Sequence, residues 1–184
     1  MRRLLSALLP ALLLLAAATG CGVATSEEAP AGSRSSDVAF LTELMHRDAA
    51  LLNLLDVGLG RPLGPGVAVA TDELRADTTA RIETTADQLE SWGEEVPKTV
   101  RDHAFEHSTD EHDIPSLDGM PTGEDIEQLG QVPRAQFEAA FVALLRSSLE
   151  TTCELAADHS ADAEAVDALA ADVEKSCQSA LKAL

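Results

Sequence analysis

The chain has 184 residues and a mass of 19.3 kDa, with 45% hydrophobic residues and a mean hydropathy of −0.00, which sets one folded domain as the ceiling and excludes wholesale disorder. Thirteen Lys and Arg stand against 32 Asp and Glu, a formal charge of −19 that repels phosphate backbones and excludes nucleic acid as a partner. Aromatic residues are 3% and Tyr is absent, while Ala, Leu and Glu abound, so helices are favoured over sheet.

Arg2 and Arg3 precede an apolar run from Leu4 to Ala18 that closes in small residues and Cys21, the layout of a signal peptide over residues 1–20. The run is shorter than the roughly 20 residues a spanning helix needs. Ala18-Thr19-Gly20-Cys21 resembles a bacterial lipobox, in which the cysteine is lipidated and becomes the mature N-terminus. An ordinary signal peptide with an incidental cysteine is the alternative. No twin-arginine pattern flanks the arginines, so general secretion is expected. The expected location is the outer face of the bacterial cytoplasmic membrane or the cell envelope, with the membrane contacted through the N-terminal lipid. Residues 21–36 are rich in Ala, Ser, Gly, Glu and Pro and read as a flexible tether, with a root-mean-square span of roughly 20 Å.

The folded domain is expected over 37–184. From Asp37, read as an N-cap, Val38, Leu41, Leu44, Met45, Leu51, Leu52 and Leu55 recur at helical steps. Gly58 to Gly66, with Pro62 and Pro65, reads as a loop. A second helix is expected from near Thr71, with Leu74, Ile82, Ala86, Leu89 and Trp92 on one side, ended by Gly93 and Pro97. About 98–133 lacks a sustained apolar stripe and reads as a long crossover containing one or two short helical turns. A third helix carries Phe137, Phe141, Leu144, Leu145, Leu149 and Leu155; a turn at Asp158–Asp162 leads to a fourth with Val166, Leu169, Ala170, Val173, Cys177 and Leu181. The pattern predicts an all-α, ferritin-like four-helix bundle: two helical hairpins joined by a long crossover. Phe40, Leu41, Leu44 and Met45 correspond to Phe141, Val142, Leu145 and Arg146 at one constant offset, which suggests a duplicated helix pair.

Three sets of residues are candidates for chemistry. Asp48 is flanked by Leu44, Met45, Leu51 and Leu52 at positions that turn it inward, and Ser148 and Thr152 bring hydroxyls beside Leu144 and Leu145, so a polar layer across the core is expected. Its plain reading is a satisfied structural hydrogen bond; its functional one is a remnant ligand site. His103 and His107 share one face if their segment is helical, with His112, Glu106 or Asp110 near enough to add a ligand, a set that suits copper or zinc. A solvated acidic loop is the other reading of that segment. Cys153 and Cys177 are paired on parity in an exported chain, but a turn near residue 160 sets them about 15 Å out of axial register at 1.5 Å per residue. Two core thiols are the competing outcome.

The chain resembles the exported family known as domain of unknown function 305, over roughly Asp37 to Leu184. Asp37 to Asp48 resembles the family's first Phe-Leu-x-x-Met-Met/Ile-x-His-His run, Phe137 to Leu145 its second, and Gly119-Met120-Pro121-Thr122 its linker. The resemblance implies a ferritin-like bundle associated with metal, in some members copper. The paired histidines of the family fall here on Arg47 and Asp48 and on Ser148 and Leu149, and His46 stands one residue early, about 100° away around the helix. No nucleophile and base pair, phosphate loop or Glu-x-x-His motif is present, so no enzyme is expected. Two functions follow: a lipoprotein that handles a copper or zinc ion through its His-rich crossover, or an envelope interaction scaffold without metal whose protein partner the sequence does not name.

Overall fold

The computed structural model describes residues 31–97 and 117–184, with side chains from Arg34 onward in the first segment. The described residues form five helices and no strand: α1 Ala31–Gly58, α2 Pro65–Ser91, α3 Gly123–Gln131, α4 Arg134–Asp158 and α5 Glu164–Ala183. The four long helices close into a ring in which α1 packs on α2 and α4, and α5 packs on α4 and α2, with α3 laid against α1 and α4. Short connections make α1/α2 and α4/α5 antiparallel hairpins. Contacts of Asp37 with His159 and of Gly58 with Phe141 make α1 antiparallel to α4 as well. Consequently α2 and α4 point the same way, and the connection between them must return across the length of the bundle. This is the expected four-helix arrangement with one crossover.

The core is built from the sequence's apolar stripes. Leu41, Leu44, Met45, Leu51, Leu54 and Leu55 of α1 meet Leu74, Ile82 and Leu89 of α2, Phe137, Phe141, Leu145 and Leu149 of α4, and Val166, Val173 and Cys177 of α5. Each large side chain removed from water contributes about 1.5–3 kcal/mol before ordering entropy is set against it.

Several boundaries differ from those expected. α1 opens at Ala31 rather than at Asp37, so the helix extends back through 31–36, a stretch read from the sequence as tether. Arg34 sits over the Trp92 ring at 5.6 Å and fastens that first turn to the end of α2. α2 begins at Pro65, not near Thr71; Gly64 takes an extended conformation and Pro65 sits in the first turn, where its missing N–H costs nothing. It ends in a Schellman arrangement: Gly93, at φ 72°, donates to Glu90 O and Glu94 N donates to Leu89 O. Within the expected crossover, α3 is started by a capping box between Thr122 and Asp125, whose backbone and hydroxyl bonds hold the Asp125 carboxyl below the usual carboxylate range.

Asp37 is not an N-cap of its own helix. It is fully buried within α1 and accepts from Ala163 N at 3.0 Å, capping the start of α5, while its other oxygen lies 3.0 Å from His159 Nε2. The His159 ring stacks on Phe40 with centroids 4.1 Å apart. A matching arrangement occurs at the opposite end. Glu138 accepts from Gly64 N at the start of α2, and Phe141 packs against Gly58 at the end of α1. The step from Phe40 to Phe141 equals the step from Asp37 to Glu138 and from Gly58 to His159, so the suspected duplication reappears as a two-fold pattern of contacts.

Candidate functional site

The polar layer lies halfway along the bundle. Asp48 projects from α1 with 0% exposure, and facing it is Arg81 of α2 at 6%. Arg81 Nε donates to Asp48 Oδ2 at 2.8 Å and Nη2 to Oδ1 at 2.6 Å, a bidentate pair that matches the guanidinium fork to both carboxylate oxygens. Burial pushes the Asp48 carboxyl above its usual range, and the Arg81 cation pulls against that shift. Burial alone would weaken the charge on Arg81, but the Asp48 carboxylate more than restores it. Thr78 and Thr85, also at 0% exposure, flank Arg81 on α2; Thr78 donates to Leu74 O at 2.7 Å.

Ser148 and Thr152 are buried as expected, but they do not meet Asp48. Ser148 donates to Leu144 O at 3.0 Å and Thr152 to Ser148 O at 2.8 Å, so both hydroxyls are satisfied on their own helix. The layer is therefore an α1–α2 ion pair, not an α1–α4 hydrogen bond. Arg81 was missed because a lone cation on a helix reads as surface. The signal that could have found it is position: Thr78, Arg81 and Thr85 continue the buried Leu74, Ile82 and Leu89 face.

Next to Asp48, Arg47 is only 7% exposed and links three elements. Its Nε and Nη2 donate to Glu43 Oε1 at 2.9 and 2.8 Å, and Nη1 donates to Thr151 Oγ1 at 3.0 Å and to Asp118 O at 3.3 Å. Gly119, at φ 76°, packs against Thr151 so closely that a Cβ there would lie 2.2 Å from Thr151 Cγ2. His46 is partly buried; its Nδ1 is enclosed without a hydrogen-bond partner, and burial pushes the ring below the usual imidazole range.

The α4/α5 hairpin brings Cys153 and Cys177 together, with both sulfurs as thiols. Cys153 S–H points to Glu174 O at 3.9 Å, one turn before Cys177, which makes the two thiols neighbours that act on each other electrostatically. The axial mismatch expected from a turn near residue 160 does not arise. Arg146 reaches Leu181 O at 3.0 Å, and this contact with the Cys153–Glu174 one centres the hairpin about residue 164. Residues 159–163 run on past the end of α4 before α5 starts, which restores the register. Burial raises the Cys177 thiol far above its usual range, and burial also raises Cys153.

The metal that the family resemblance implies does not fit the positions in question. Both oxygens of Asp48 are engaged by a cation, Arg47 is itself a cation, Ser148 is committed to a carbonyl and Leu149 has no donor. Among the described residues no group of three or more His, Cys, Asp and Glu is placed to hold a metal ion. His103, His107 and His112, like Cys21 and the signal segment, lie outside the described residues. A groove of about 600 Å³ between α2 and α5, lined by Asp77, Arg81, Thr84, Leu169, Asp172 and Lys175 among others, has Arg81 in its wall. No described helix is long and apolar enough to cross a membrane.

These features define an all-α four-helix bundle with a buried ion pair at its polar centre. Its family model is "Domain of unknown function (DUF305)", matched over residues 37–184, and the chain belongs to that family. A solved structure described as a DUF305 fragment from Deinococcus radiodurans is similar at a TM-score of 0.66 and 16% identity, covering 80% of this chain and 91% of that one, a likeness of fold. No curated protein matches the sequence.

Proposed function

We propose that this protein is a lipid-anchored extracytoplasmic helical module, attached through Cys21, that serves as a non-catalytic interaction scaffold in the cell envelope and holds no metal in its bundle. The observation that carries this reading is the Asp48–Arg81 pair: a bidentate bridge stands where the resemblance puts a histidine, and a fixed guanidinium excludes a second cation from the same carboxylate. The acidic surface supports a basic or neutral protein partner and disfavours anionic lipid headgroups beyond the tether.

One sequence feature favours a second reading. His103, His107 and His112 lie within ten residues of one another, a set suited to copper or zinc, so a metal-handling role would be carried by that segment and not by the core. Metal content of protein purified without a His-tag separates the two. Far less than one ion per chain supports the scaffold. Stoichiometric metal that a His103/His107 double alanine variant loses supports the second reading, and stoichiometric metal that Asp48→Asn loses overturns the account of the core. For the anchor, Cys21→Ala is expected to move the protein from the membrane fraction to the soluble one; retention on the membrane would contradict lipidation at that residue.

A further inference from the structure

The two thiols of the α4/α5 hairpin have a chemistry that neither the bundle nor the scaffold reading uses. They are neighbours across two helices of a well-registered hairpin, since Cys153 Sγ lies 3.9 Å from Glu174 O, one turn before Cys177, and they differ in access: Cys153 is partly exposed, whereas Cys177 is 1% exposed. The Cys177 thiol beside it favours a negative charge on the Cys153 sulfur. Glu150, Glu154 and Glu174 surround Cys153 and raise its thiol further, which disfavours an anionic reactant.

We propose that Cys153 and Cys177 are a redox couple that closes into a disulfide across the α4/α5 hairpin by exchange with a neutral or cationic disulfide donor. Cys153 loses its proton to solvent and its thiolate attacks one sulfur of the donor; the donor's S–S bond breaks and one donor thiolate leaves, taking up a proton. Cys177 then loses its proton and attacks the Cys153 sulfur of the mixed disulfide, expelling the second donor thiol. Two cysteine S–H bonds are replaced by one S–S bond, and two electrons pass to the donor, which leaves as two thiols. The order is set by access, since only Cys153 can meet an outside molecule while the bundle is folded. The reaction is slow near neutral pH, because burial keeps both thiols protonated, and faster as pH rises.

The test uses the full chain carrying Cys21→Ser, so that only these two thiols remain. Reduced protein, freed of reductant, is incubated with cystamine, quenched in acid and read by intact mass and peptide mapping. The expected product has lost two hydrogen atoms, retains no cysteamine and joins the Cys153 and Cys177 peptides. Cys177→Ser is expected to stop with one cysteamine on Cys153, and Cys153→Ser to stay unmodified while folded. The closed form is expected to melt several degrees higher than the reduced form, since the bridge restricts the unfolded hairpin. Wild-type pairing that halts at the cysteamine adduct, or remains fully reduced after the Cys177→Ser variant has been labelled, overturns the proposal. If a serine variant does not give a helical circular dichroism spectrum, the mass of the product with both cysteines present decides alone.

Discussion

At Asp48 and Arg81 the cost of burying a charge and the benefit of pairing it are both large, so removing one partner and removing both have opposite expected outcomes. Asp48→Leu leaves a guanidinium in the core without its carboxylate and is expected to lose about 3–5 kcal/mol of stability. Asp48→Leu with Arg81→Met, which fills the space with apolar side chains, is expected to return to wild-type stability or exceed it. Urea denaturation of the two singles and the double measures the coupling; additive losses would show that the two side chains do not interact.

A second residue-scale expectation concerns pH. The Cys177 thiol ionises in the unfolded chain at about 9.0 and stays protonated well above that in the folded one, so the folded state binds more protons and reduced protein loses stability as pH rises past 9. The absence of Tyr leaves few other groups titrating there. Cys177→Ala should flatten the stability profile between pH 8 and 10; an unchanged slope would assign the alkaline loss elsewhere.

Asp48 was legible in the sequence because its four neighbours along the helix are apolar, which fixes its direction without knowledge of the fold. Arg81 was not, since its burial depends on a partner on another helix. Asp37 carried a local signal, an acid before an apolar run, that was read correctly as a cap and assigned to the wrong helix. The Cys153–Cys177 contact was obscured by the position of the hairpin's midpoint, which is set by how far 159–163 extend, and composition does not encode that distance.

Among the elements, the contacts that order the connections are few and specific. Gly119 combines a positive φ with close approach to Thr151, the residue that accepts from Arg47. Gly119→Ala is therefore expected to cost about 1–3 kcal/mol and to loosen the linker between α3 and the α1/α4 seam. Thermal melting checks the magnitude, and a variant as stable as wild type would show that the linker does not depend on this approach. The α3 cap is local, and Thr122→Ala should cost about 1 kcal/mol, near the typical value for a lost cap. Asp37→Ala removes both the α5 cap and the partner of buried His159 and is expected to cost about 2 kcal/mol or more. The four long helices were readable from apolar periodicity, whereas α3 and the starts of α1 and α2 were not. Pro65 and the Ala31–Ser36 stretch both look like loop by composition, yet both are helical: Gly64 supplies the turn before Pro65, and Arg34 rests on the Trp92 ring.

At the scale of the whole molecule, the two halves close on each other through a repeated pattern of contacts. Each half contributes an acid that caps the second helix of the other half, and a phenylalanine that packs on or beside the end of the other half's first helix. The symmetry fails at the centre, where one half supplies Arg47 and Asp48 and the other Ser148 and Leu149. That asymmetry distinguishes an ion-paired interior from a symmetric set of ligands, and it is the point on which the functional account turns. The most direct measurement is the melting temperature of untagged protein before and after exhaustive treatment with a strong chelator. The account expects no change, because the centre is held by Asp48 and Arg81; a fall of several degrees, restored by adding copper or zinc, would contradict it.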